Sequence, residues 1–113
     1  MKKKTKAQIK KAVLAQVKIQ DKEWSLKVRK KDNFRCQRCG YYHAKGRSLN
    51  GAHIISRDNL KLRWSVNNGV CLCMTCHRWW AHTHPVEFTY WVAKKIGWDT
   101  LKNLYDYAYG KEE

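Results

Sequence analysis

The chain is short of backbone breakers and of acid. Its 113 residues include one proline, six glycines and nine aspartates or glutamates, set against 24 lysines and arginines. With the only proline at Pro85, and with neither glycine nor proline between Thr5 and Asp32, nothing interrupts a helix over the amino-terminal part. Long apolar runs are missing too, and a mean hydropathy of −0.76 rules out a bilayer-spanning helix. The lysines from Lys2 to Lys4 are followed by no apolar stretch or cleavage site, so no secretory signal is expected. Five cysteines, four of them in close pairs, suit metal binding in a reducing compartment better than a secreted disulfide framework. The expected compartment is the cytoplasm.

What is abundant is positive charge, and it is unevenly placed. The net charge is +15 with histidines neutral. Residues 1–35 hold 13 Lys/Arg against 3 acids and residues 36–84 hold 7 against 1, whereas residues 85–113 hold 4 against 5. A pI near 9.9 with the field concentrated over the first two thirds is the electrostatic footprint of a nucleic-acid binder. A merely solvated face would not require this asymmetry.

Three segments of one structural unit follow from the patterning. Residues 1–35 read as a basic helical segment, one long helix or two shorter ones, in which Ile9, Val13, Val17, Gln20 or Asp21, Trp24 and Val28 recur at helical spacing, until Asn33 and Phe34 end the run. Residues 36–84 are rich in Gly, Asn and Cys, with brief strands predicted at 51–55 and 69–72 and a helix over 74–81. Residues 85–113 read as a helical brace: Pro85 opens one helix, Gly97 ends it, and Asp99 or Thr100 caps a second that Gly110 closes. Phe88, Trp91, Val92 and Ile96 share one face, and Leu101, Leu104, Tyr105 and Ala108 another, which is the pattern of packing. The fold class is α+β and mostly helical.

Two Cys-x-x-Cys pairs, Cys36–Cys39 and Cys73–Cys76, supply four thiolates, the usual set for a structural tetrahedral Zn2+. Gly40 can take the positive φ that turns both sulfurs of the first pair to one ion. The 33 residues between the pairs form a loop that the metal would close. Cys71 is left over, either a substitute ligand or a small buried hydrophobe.

All five histidines lie between residues 43 and 84. The ordered set Cys36-x-x-Cys39, Ala52-His53-Ile54 and Asn68-Gly69-Val70-Cys71-Leu72-Cys73-x-x-Cys76-His77 resembles the HNH nucleases of ββα-metal (His-Me finger) fold, notably the compact phage-type members with a four-cysteine zinc. The resemblance covers roughly residues 24–84. It implies a small ββα-metal core with a structural zinc, flanked by helices, and a metal-dependent DNA endonuclease, associated with a phage or mobile element. His53 matches the general base that activates water, Asn68 the asparagine that holds the strands and orients the base, and His77 the helix-borne ligand of a divalent ion. That ion, Mg2+, Mn2+, Ni2+ or Zn2+, would stabilise the scissile phosphate and leaving oxygen.

Many HNH enzymes place a metal-binding acid or histidine just before the first histidine, where this chain has Ala52. His82 is then the candidate second ligand, against a surface or packing role; His84 is a weaker one, and His43 is expected in solvent. Arg35, Arg38, Arg47, Arg57, Lys61, Arg63 and Arg78 surround the site as candidate phosphate contacts, and the amino-terminal lysines add nonspecific reach. Trp64, Trp79 and Trp80 either stack on bases or pack around the metal domain. The other class compatible with these residues is a noncatalytic, zinc-stabilised nucleic-acid-binding module. Neither oligomeric state nor target structure follows from the residues.

Overall fold

The computed structural model describes residues 3–110; Met1 and Lys2 of the basic segment and residues 111–113 of the brace lie outside them. Helix α1 spans Lys6–Lys31, strand β1 Leu49–His53, strand β2 Gly69–Cys73, helix α2 Pro85–Ile96 and helix α3 Trp98–Tyr109. A short 3-10 turn over Val66–Asn68 leads into β2, and a π-wound helix over Thr75–Ala81 leaves it.

Helix α1 is one uninterrupted element. Thr5 caps it, accepting from the Gln8 N–H while the Gln8 side chain accepts from the Thr5 N–H. It ends where Asn33 and Phe34 take left-handed φ of 58° and 54°. Only its second half is anchored: Trp24 and Val28 are buried, whereas Ile9, Val13 and Leu14 are about half exposed. A helix of this length reaches about 39 Å, which is why the Cα radius of gyration, 16.2 Å, exceeds the roughly 13 Å of a compact chain this size.

Strands β1 and β2 pair antiparallel, with Gly51 opposite Cys71, Ala52 opposite Val70 and His53 opposite Gly69. The first strand lies two residues earlier than the apolar pattern predicts. Ile54 and Ile55 leave the ladder because Asn68 takes their N–H groups, through its carbonyl (3.1 Å) and its side-chain Oδ1 (2.7 Å). One side of the sheet meets α1 where two glycines remove the side chains. A Cβ on Gly69 would lie 2.8 Å from Trp24 Cζ2, and one on Gly51 3.0 Å from Trp24 Cζ3. The Lys31 ammonium donates to the Gly69 carbonyl (2.7 Å), and the Asp32 carboxylate accepts from the Cys71 N–H (2.8 Å), fastening the helix end to β2.

The main core joins Leu49, Ala52, Val70 and Leu72 to Ala81, Phe88 and Val92, so α2 braces the sheet as the periodicity predicts. Helix α3 packs through Ala108 and Leu104 on Ile55 and Leu62. Tyr105, assigned by periodicity to the packed face, is 56% exposed. Gly97 has φ 93° and both ends α2 and opens α3, so α3 begins at Trp98 without a side-chain cap. Together β1, β2 and the following helix form a ββα-metal core held between α1 and the carboxy-terminal helices.

Candidate metal centre and histidine cleft

The four paired cysteines converge. All four Sγ atoms lie within 4.8 Å of one another, and Cys39 Sγ is 3.7 Å from Cys73 Sγ. Four sulfurs about 2.3 Å from a tetrahedral zinc are about 3.8 Å apart, so the donor set and its spacing fit that ion. Gly40 has φ 84° and closes the first turn with its N–H on the Cys36 carbonyl (2.9 Å). The Cys39 N–H points at Cys36 Sγ and the Cys76 N–H at Cys73 Sγ, both at 3.4 Å. Burial works against charge on Cys36, but neighbouring N–H groups outweigh it and bring that thiol down to about 7. Cys71 stands outside the cluster, wholly buried, and burial pushes its thiol up to about 12. It is a core residue.

Helix winding decides the second cluster. A five-residue separation is poor for two side chains on an α-helix, yet the His77 and His82 rings meet edge to face with centroids 4.4 Å apart. The reason is π-winding: the His82 N–H donates to the carbonyl of His77, five residues back (3.1 Å). Burial first, then the neighbouring His82, depresses the His77 imidazole to about 4. It is therefore neutral, with a lone pair to offer a metal, over the physiological range. His84 lies apart, its Nδ1 beside the Thr83 hydroxyl (2.8 Å). His43 is half-buried rather than solvated, because its Nδ1 accepts from the N–H groups of Lys45 and Arg47 and shapes that loop.

His53 closes β1 and lines a cleft of about 670 Å³ together with Arg57, His77, His82 and Asp21. Its Nε2 lies 2.9 Å from the Arg63 carbonyl oxygen. A carbonyl only accepts, so Nε2 bears the proton and Nδ1 keeps a free lone pair. Burial lowers its pKa from the ordinary imidazole value. On one side its ring lies flat against the Trp24 indole, centroids 3.8 Å apart and 5° from parallel.

Asn68, fully buried, is the clasp behind this arrangement. Besides the bonds to Ile54 and Ile55, its amide donates to the carbonyls of Ile55 (3.0 Å) and Leu62 (3.2 Å). It thus ties the strand end that carries His53 to the loop whose carbonyl receives the His53 proton. Ala52, 2% exposed, faces the core beside Val70 and supplies no ligand.

The basic residues divide by what they touch. Arg57 lines the cleft. Arg63 spends its guanidinium on Asp21, through Nε (3.0 Å) and Nη2 (2.8 Å), and Trp64 Nε1 donates to the same carboxylate (2.9 Å). Arg38 sits over the Trp80 ring (3.9 Å) and points a guanidinium nitrogen at Cys76 Sγ, beside the cysteine cluster. Arg35 donates to the Gly40 carbonyl, and Arg47, Lys61 and Arg78 are exposed. Trp80 packs edge to face on Phe88 and Trp91, while Trp79 is 71% exposed. Motif reading of residues 36–84 missed Asp21 and Trp24, which reach the cleft from α1. The one available signal was that they sit three residues apart at the end of the helical stripe.

No curated protein and no solved structure matches the chain. The family model described as HNH endonuclease matches residues 36–85, from the first cysteine of the cluster to the proline that opens α2. This central segment, with its four converging cysteines, is similar to the HNH endonuclease family.

Proposed function

We propose that the protein is a metal-dependent DNA endonuclease in which His53 is the general base. The observation that carries this reading is the tautomer imposed on His53. With Nε2–H committed to the Arg63 carbonyl, Nδ1 is left to take a proton from water, in a cleft shared with His77 and Arg57. Asn68 positions the base through backbone bonds on both sides of it. His77, with His82 beside it, would hold a divalent ion. Among the described residues the only cluster of three or more potential ligands is the cysteine one, so water and phosphate oxygens would complete an open coordination shell. Such an ion supplies charge stabilisation at the phosphate and the leaving oxygen. Arg57 would grip a phosphate within the cleft, with Arg35, Arg38, Lys61 and Arg78 adding to the surrounding positive field, while Arg63 is neutralised by Asp21. The cysteine cluster would hold Zn2+ as structure.

Ala52, where many HNH enzymes carry a ligand, favours a second reading: a noncatalytic zinc-stabilised nucleic-acid-binding module. Nicking of supercoiled plasmid across a panel of divalent metals, by the parent and by His53→Ala, decides between them. The expected outcome is nicking by the parent and a loss of roughly 10²–10⁴-fold in the variant, with melting temperature, zinc content and DNA affinity retained. Equal cutting by the variant removes the base assignment. A parent that binds DNA but cuts with no metal leaves the binding module.

A further inference from the structure

We infer that α1 belongs to the catalytic apparatus: Trp24 and Asp21 are positioning residues that hold the His53 imidazole in one orientation. The inference rests on the nuclease reading above and extends it to a helix outside the matched segment 36–85.

Two restraints converge on one ring. The Trp24 indole covers a face of the imidazole at 3.8 Å and 5°, and the indole cannot turn, being 4% exposed with its Nε1–H on the Ser65 carbonyl (2.7 Å). The second restraint is the Arg63 carbonyl at Nε2, and that residue is itself clamped. Asp21 grips its guanidinium with both oxygens, 3.0 and 2.8 Å, and takes the Trp64 indole N–H as well. Because those oxygens are already engaged, Asp21 serves the cleft by holding Arg63 rather than by ligating an ion in place of Ala52. Residues 21 and 24 lie on the same side of α1, so one helix delivers both restraints.

The sheet is cut to receive them. Gly69 is the register partner of His53, and a Cβ there would press on Trp24 Cζ2 at 2.8 Å; one at Gly51 would press on Cζ3 at 3.0 Å. Plain core packing would need only apolar bulk at position 24. A parallel indole with its polar edge anchored, seated on bare glycine backbone beside the base, instead fixes the angle of an imidazole. Orientation of this kind is worth large factors in rate, since a displacement of about 1 Å can cost roughly 10²-fold.

The test compares Trp24→Leu, Trp24→Phe and Asp21→Asn with Val28→Ala, which thins the same helix–sheet contact one turn further on. Plasmid nicking gives kcat and KM, thermal melts give stability, and NMR reports the His53 ring protons, which the indole should shift upfield in the parent. Trp24→Leu and Asp21→Asn should lower kcat by roughly tenfold to a hundredfold at unchanged KM. Trp24→Leu should also lose the upfield shift, and Trp24→Phe should recover part of both. Val28→Ala should lower the melting temperature with kcat within about threefold. The inference is overturned if Trp24→Leu melts lower yet keeps its kcat, or if Val28→Ala loses as much kcat as Trp24→Leu. An unshifted His53 in the parent overturns the stack itself. A parent with the shift but no nicking defeats the nuclease reading and this rate effect together.

Discussion

Two clusters of potential metal ligands lie in one central segment and are built on opposite plans. The cysteine cluster presents four soft donors to a single point, from two turns whose backbone N–H groups already face the sulfurs. It leaves no position for anything else, which is how a structural zinc site is made. The histidine cleft brings two imidazoles together on one helix and opens into about 670 Å³ lined by Arg57 and His53. A site short of protein ligands is a site with room for substrate. The difference teaches that completeness of the ligand set, as well as ligand chemistry, distinguishes a closed cluster from one open to solvent and substrate.

Removing one ligand from each tests that contrast, and the larger effect belongs to the closed site. Cys36→Ser should abolish the cooperative melt and the bound zinc, because binding free energies of roughly 10–16 kcal/mol in such sites are also folding free energy. A variant that melts like the parent with full zinc content would show that the cluster is not a staple. His77→Ala should come next, with nicking lost by roughly 10²-fold or more while zinc content and melting temperature stay near the parent's. Unfolding of that variant would mean that the two sites are not independent. The smallest effect should come from Arg57→Ala, which removes one phosphate contact: DNA binding weakens across sequences and the slope of log K against log salt falls by about one. An unchanged slope would place the phosphate elsewhere.

Acidity sharpens the same contrast. Burial lowers the pKa of His53, so the proposed base stays neutral to more acid pH than a free imidazole. The acid limb of kcat/KM should therefore fall below about pH 6.5.

How much of this was legible in the residues varied with the range of the interaction involved. The knuckles, the helix from Thr5, the turn at Gly40 and the brace opened by Pro85 all follow from local spacing, and the structure has each of them. The β1 boundary does not, because Ile54 and Ile55 look like strand until the side chain and carbonyl of Asn68, thirteen or more residues away, claim their N–H groups. His82 was a doubtful partner for His77 on α-helical geometry, and the π-winding that joins them has no signature in composition. Arg63 reads as a phosphate contact in sequence, since nothing near it announces Asp21, 42 residues earlier. Trp24 looked like core because it is core; only the register of Gly69 with His53 shows what its indole covers.

The bare backbone at Gly69 also ties together positions that are far apart in the chain. A methyl group there would collide with both Trp24 and Val28. Neither of those residues can shrink without leaving a void, and Gly69 cannot grow unless they do. Positions 24, 28 and 69 therefore share one volume, so that bulk added at the strand must be given up by the helix.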